Sequence, residues 1–261
     1  MSAANPETVL VTGASSGIGL ELARCFASDG SRLVLVARNT AALEKLAGEL
    51  RRNHKVESIV LTADLSQSET PKKIFSELKG RGMVVDILVN NGGFGAHGLF
   101  SELPLQRQIE MIQVNVTALM ELTGLFLPGM VERRHGGVLN VASVAGFVPG
   151  PGMAVYYATK AFVLSFTEAL AGELAGTGIK VMALCPGPTE TNFGSVARVN
   201  GARLVRVASM TAREVAFRGH RAFRGRRVVV VSGWRNRLLV VLIRLTPRLL
   251  VRRITGKFNG L

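Results

Sequence analysis

The chain predicts an α/β fold, a doubly wound parallel sheet of about seven strands with helices on both faces, and two patterns predict it. Short β-branched runs alternate with longer amphipathic stretches along most of the 261 residues, as repeated βαβ units do. A glycine-rich turn closes the first run and opens the first helix, which is where such folds bind nucleotides. A chain of this length fits one domain of that kind, and a hydrophobic fraction of 48% is ample for its core.

In order, the predicted strands are Thr8–Thr12, Arg32–Val36, Ser58–Ala63, Asp86–Val89, Val138–Ala142, Lys180–Cys185 and Val228–Ser232. Between them the apolar period becomes helical over Gly17–Ser28, Thr40–Arg52, Glu69–Lys79, Leu105–Met130 and Tyr156–Ala175. Nothing repeats at a fixed period and no low-complexity linker divides the chain. The expected organisation is one Rossmann-type α/β domain over residues 1–233 and a basic amphipathic tail over 234–261.

Charge is unevenly placed. Residues 1–197 hold 16 Lys/Arg against 17 Asp/Glu, whereas residues 198–261 hold 16 Lys/Arg and a single acid, Glu214. Arginines make up 24 of the 32 basic residues, a bias toward arginine that does not explain why the excess is local. Such a patch suits nucleic acid or an anionic membrane surface. Cys25 and Cys185 are the only cysteines, so no disulfide framework is expected and a reducing, cytoplasmic setting is the default. The start of the chain lacks the basic and apolar regions of a signal peptide. No metal site is expected.

The first strand runs into TGASSGIG, Thr12 to Gly19. Gly13, Gly17 and Gly19 let the backbone turn sharply and approach a pyrophosphate. Ser15, Ser16 and Ile18 bring the amides of the helix N-terminus and its positive dipole end to the same place. This defines a Rossmann-type cofactor site, although the G-x-x-x-G-x-G spacing differs from the dinucleotide fingerprint. The second strand ends in Ala37 and Arg38, where an NAD-preferring fold places an acid for the ribose 2′-hydroxyl. A guanidinium there suits a 2′-phosphate, so the expected cofactor is NADP(H).

Ser143 follows the fifth strand, and Tyr156 and Lys160 lie four residues apart on one helical face. An ordinary phenol is a poor acid/base at neutral pH. The expectation is that a nearby ammonium lowers the Tyr156 pKa, with Lys160 also gripping the cofactor ribose, while Ser143 holds the substrate oxygen.

With these residues in place, the sequence resembles the short-chain dehydrogenase/reductase family, in its branch of about 250 residues. The likeness covers roughly residues 6–233 and includes the ketoacyl reductases and hydroxysteroid dehydrogenases. It rests on the glycine turn, on Asp64-Leu65, Asn90-Asn91-Gly92-Gly93 and Asn115, on Ser143, Tyr156 and Lys160, and on Pro186-Gly187-Pro188-Thr189. The resemblance implies that Asp64 contacts adenine and that Asn91 braces the sheet beside the cofactor. It implies that Asn115 holds a water linking Lys160 to solvent and that Thr189 grips the nicotinamide carboxamide. Gly92 stands where the family usually has alanine; no change of chemistry is expected from that. Relatives are often dimers or tetramers, so a homo-oligomer is expected.

The loops Phe94–Phe100, Val144–Val155 and Phe193–Met210 carry Phe94, Phe147, Met153 and Phe193 and little charge. They predict an apolar pocket for a lipophilic substrate. In the tail, Arg237, Arg244, Arg248 and Arg252 fall within about 80° of one continuous helical wheel. Such a helix either lies in a membrane interface or packs on the protein, with Pro247 kinking it or starting a second turn. The functional expectation is an NADPH-dependent reductase of an apolar ketone, ketoacyl compound or aldehyde. The alternatives are an alcohol or steroid dehydrogenase running oxidatively, and a nucleotide sensor without turnover. The sensor reading conflicts with the presence of Asn115, Ser143, Tyr156 and Lys160 together. Nucleic acid is not an expected partner, because no base-stacking aromatics cluster in the tail.

Overall fold

The computed structural model describes residues 6–190 and 210–261. Seven strands form one parallel sheet: β1 (Thr8–Thr12), β2 (Arg32–Ala37), β3 (Ser58–Thr62), β4 (Ile87–Asn90), β5 (Gly137–Val141), β6 (Lys180–Cys185) and, last in the chain, β9 (Val229–Val231). Their spatial order is β3-β2-β1-β4-β5-β6-β9. Every pairing is parallel. The central strands are buried along their whole length, TVLVT in β1 and GVLNV in β5, because helices cover both faces.

Helices α1 (Gly17–Ser28) and α2 (Thr40–His54) cover one face together with α7 (Ala212–Arg224). Their core is built around Leu22, Phe26, Leu43, Leu50 and Phe223. The other face carries α3 (Thr70–Gly80), α5 (Ala118–Glu132) and α6 (Ala154–Glu173), with Ile74, Leu78, Leu122, Phe126 and Leu170 in its core. Local chemistry sets several helix boundaries. Asn39 Oδ1 caps α2 by accepting from the Ala42 N–H at 3.0 Å, and α2 ends at Lys55 in the left-handed region. Thr211 and Glu214 form a reciprocal capping box at the start of α7.

In two places the fold departs from expectation, and in a third, at Pro247, it decides between the options the sequence left open. The predicted helix Leu105–Met130 is two helices, α4 (Leu105–Ile112) and α5, joined by a π-helical turn over Gln113–Thr117 with Asn115 at its centre. The combined span is long and apolar enough to cross a bilayer. Its buried residues Ala118, Leu122, Phe126 and Met130 nevertheless belong to the core against the sheet. A small parallel pair, β7 (Thr189–Glu190) with β8 (Met210–Thr211), was not expected and joins the two described segments. The tail is two helices, α8 (Trp234–Leu245) and α9 (Arg248–Phe258), broken at Thr246-Pro247. The four arginines placed on one continuous wheel are therefore divided between two axes, because proline cannot continue a helix whose N–H it lacks.

Candidate active site

Between β1 and β4 the strand order reverses, which opens a crevice at the C-terminal ends of the strands. There a cavity of about 1680 Å³ runs from the glycine turn, past Ser143 and Tyr156, to the tail helices. Gly13 and Gly17 adopt φ of +66° and +57°, so the turn needs residues without a Cβ. Ser16 precedes α1 without any side-chain cap, and no acid occupies the first turn. The first amides of α1 therefore remain for a ligand, as a phosphate requires. Gly13, Ser15, Ser16, Gly17 and Ile18 all line the cavity. Gly19 does not; it is packed so closely that a Cβ would overlap Asn91 Nδ2 and the Gly13 carbonyl. Its expected place in the cofactor wall is thus a packing role one layer behind it.

Asn91 holds this turn to the next strand. Its Nδ2 donates to the carbonyls of Thr12 at 2.9 Å and Gly13 at 3.3 Å. Thr12 Oγ1, at the head of the glycine turn, accepts from the N–H groups of Asn91 at 3.0 Å and Gly92 at 2.9 Å. A Cβ on Gly92 would sit 3.0 Å from Leu65 Cδ1, and one on Gly93 would sit 3.0 Å from Asn115 Oδ1 and 3.5 Å from Lys160 Nζ. Arg38 is exposed at the end of β2 and lines the cavity. Asp64 and Leu65 line it beyond β3, where the Asp64 carboxylate accepts from the Ser66 N–H at 3.0 Å. Pro186, Gly187 and Thr189 form the wall after β6. Gly187 lies flat against Asn236, whose Nδ2 donates to the Ser232 carbonyl at 2.7 Å. Asn236 is a buried lining residue with no motif to mark it.

The reacting end is positioned by β5 and α6. Lys160 Nζ donates to the carbonyl of Val141, the last residue of β5, at 2.8 Å. Ser143 lies two residues further on, and its Oγ accepts from the Ala145 N–H at 3.1 Å. Tyr156 is hydrogen-bonded to Ser143, and burial pushes its phenol up to about 12. Lys160 Nζ stands 5.9 Å from the Tyr156 ring centroid, and burial lowers its ammonium to about 8. Burial is the largest influence on the tyrosine and raises it, the Ser143 hydrogen bond lowers it, and Lys160 is not among the groups that shift it, so the expected depression by Lys160 is not seen.

Asn115 does not reach the cavity. Both of its amide protons are donated, to the Phe94 carbonyl at 2.9 Å and to Thr159 Oγ1 at 3.1 Å, and its Oδ1 accepts from the Phe94 N–H at 3.0 Å. The side chain clamps the loop after β4 to α6, so the expected water would have to be held by other atoms.

Of the expected substrate residues, Phe94 and Met153 line the cavity. Phe94 lies under the Arg107 guanidinium, 4.0 Å from its ring centroid. Phe147 does not line the cavity; it packs on the cluster of Leu119, Ala142, Val163 and Cys185 beneath Arg244. Phe193 lies outside the described residues. The apolar wall comes mainly from the tail, through Leu239, Leu242, Ile243, Val251, Ile254 and Phe258. Asn259 holds that tail in place: its Nδ2 donates to the Pro151 carbonyl at 2.8 Å, and its own carbonyl is 2.7 Å from His97 Nε2. No short motif could have marked these residues, because their place depends on how the chain end folds back.

A match to the short chain dehydrogenase family over residues 7–202 agrees with this geometry. The chain belongs to that family. Among similar proteins, a putative ketoacyl reductase of Streptomyces coelicolor is 37% identical over 76% of each chain. The very-long-chain 3-oxoacyl-CoA reductase of Anas platyrhynchos is 34% identical over 72% of this chain, the match spanning 62% of that relative's length. A 7beta-hydroxysteroid dehydrogenase structure superposes with a TM-score of 0.86 at 27% identity, covering 95% of this chain and 96% of the other. A short-chain dehydrogenase from Sphingobium yanoikuyae in complex with NADPH gives 0.82 at 34% identity, with 91% and 94% covered. One from Burkholderia phymatum in complex with NAD gives 0.81 at 29% identity, with 94% of each covered.

Proposed function

We propose that the protein is an NADPH-dependent carbonyl reductase acting on an apolar ketone, ketoacyl compound or aldehyde. The observation that carries this reading is one cavity with three chemistries along its length. Uncapped helix amides and Arg38 lie at one end, Ser143, Tyr156 and Lys160 in the middle, and an apolar wall at the other end.

A dinucleotide fits the first part: Gly13, Gly17 and the amides of α1 would hold its pyrophosphate, and Asp64 and Leu65 would lie beside the adenosine. Arg38 forms no ion pair among the described residues, and no acid stands in the first turn of α2. That charge favours a 2′-phosphate over a free 2′-hydroxyl. The bound nicotinamide supplies the hydride. The chain's part is acid catalysis. Ser143 Oγ holds the substrate oxygen beside the Tyr156 hydroxyl, and Tyr156 gives that oxygen its proton. Lys160, one helical turn away, stabilises the phenolate that results and would hold the cofactor ribose when it is bound. Burial holds the phenol protonated at neutral pH, the form that can donate to the substrate oxygen. The relatives named as ketoacyl and 3-oxoacyl-CoA reductases point to reduction and to a lipid-like substrate.

The test follows NADPH and NADH oxidation over a panel from short ketones to long-chain ketoacyl esters and ketosteroids, with Tyr156→Phe as the blank. Turnover with NADPH that rises with chain length and vanishes in the variant is expected. Preference for NADH, or activity surviving in Tyr156→Phe, would refute the assignment.

A further inference from the structure

The last 28 residues, 234–261, contain seven basic side chains and no acidic one. All seven (Arg235, Arg237, Arg244, Arg248, Arg252, Arg253 and Lys257) are exposed. So is a row of large apolar side chains. On α8, Trp234, Leu238, Val241, Leu242 and Leu245 all face outward, Trp234 with 69% and Leu245 with 79% of its surface exposed. At ~100° per residue these five fall within about 100° of arc, with Arg235 on one flank and Arg237 and Arg244 on the other. On α9, Leu249, Leu250, Ile254 and Phe258 continue the exposed apolar surface. The opposite sides of both helices are seated on the protein through Asn236, Val240, Val251 and Gly256.

Four residues belong to both surfaces. Leu239, Leu242, Ile254 and Phe258 line the cavity and are also exposed, so they stand at its rim. The apolar cavity and the apolar outer face are thus continuous across the tail helices.

We propose that α8 and α9 dock this face into an anionic lipid surface, setting the rim of the cavity against the acyl chains. A membrane-dissolved ketone or ketoacyl chain then reaches Tyr156 without crossing water. Only the identity of that cargo rests on the reductase reading; the docking does not. The charge pattern selects the occupant. A second copy of the chain on this face would set basic residues against basic residues with no acid between them. A bilayer with anionic headgroups takes the leucines and the tryptophan into its interface while the arginines extend to the phosphates.

Trp234 is the single tryptophan and reports docking directly. The full chain is mixed with vesicles of phosphatidylcholine alone, or of phosphatidylcholine and phosphatidylglycerol in equal parts, with and without brominated acyl chains. The expected result is a blue-shifted Trp234 emission, quenching by the brominated chains, and at least about tenfold tighter partitioning onto the anionic vesicles. The variant Leu238→Ser, Leu245→Ser, Leu249→Ser changes none of the cavity-lining residues. It should lose at least about tenfold in partitioning and the reduction of a long-chain ketone carried in vesicles, while reducing a short water-soluble ketone as before. Three results would overturn the proposal: no partitioning of the native chain, equal partitioning of the variant, or a native dimer that the variant dissolves with no lipid binding by either. Partitioning and quenching without turnover of any ketone would sustain the docking and remove the reductase reading alone.

Discussion

Tyr156 and Lys160 sit one turn apart on α6, yet burial moves them in opposite directions, the phenol up to about 12 and the ammonium down to about 8. An amine is charged below its pKa and neutral above it, so Lys160 loses its charge as pH rises through about 8. Reduction that needs the Lys160 cation should therefore slow as pH rises through about 8, while Tyr156 stays protonated well beyond. The pH dependence of kcat/KM for NADPH, which reports the free enzyme, measures this; a limb near 10, or a limb kept in Lys160→Met, would refute it. The neighbouring glycines separate in the same way. Gly93→Ala places a methyl against both Asn115 Oδ1 and Lys160 Nζ and should lower kcat by about ten- to a hundredfold. Gly92→Ala meets only the far end of Leu65 and the Thr12 side chain and should leave kcat nearly unchanged. Steady-state kinetics of the two variants give the comparison. The Ser-Tyr-Lys set could be read from spacing because i and i+4 share a helical face wherever the helix lies. The direction of the tyrosine shift could not, since it depends on water excluded by side chains distant in sequence.

At the scale of elements, the π turn over Gln113–Thr117 carries Asn115, whose three hydrogen bonds tie the loop after β4 to α6. Asn115→Ala leaves buried polar groups unpaired and should cost about 2–3 kcal/mol in urea unfolding; a loss under about 0.5 kcal/mol would show that the clamp bears no strain. The tail reverses the expectation drawn from the loops. Phe147 packs away from the cavity, so Phe147→Ala should leave chain-length preference as it was. Ile243 lines the cavity, so Ile243→Trp should shift preference toward shorter substrates, read as kcat/KM across a chain-length series. The periodicity of each tail helix was visible in the sequence. Which of its faces turns inward was not, because both faces carry leucine and valine.

Across the whole molecule, the basic excess is partly consumed inside the fold. Arg224 on α7 pairs with Glu7, just before β1, at 2.6 Å and with Asp29, just after α1, at 2.8 Å. His220 meets the same Asp29 carboxylate at 2.8 Å. This cluster fastens the start of the chain to its last quarter. Because these groups keep about a quarter to a third of their side-chain surface exposed, Arg224→Ala should cost only about 1–2 kcal/mol. The cost should shrink at high salt; denaturation at two ionic strengths measures both. By itself the sequence determined the succession of the seven sheet strands and most of the helices between them, the glycine turn and the candidate reacting residues. Each of those follows from periodicities and spacings a few residues long, which the backbone imposes locally. The tertiary structure alone decided that the chain's end closes the cavity, that Phe147 lies outside it and Asn236 inside, and that burial raises the phenol rather than lowering it. Those outcomes depend on which distant surfaces meet and exclude water, a property of the packed molecule that no short stretch of sequence carries.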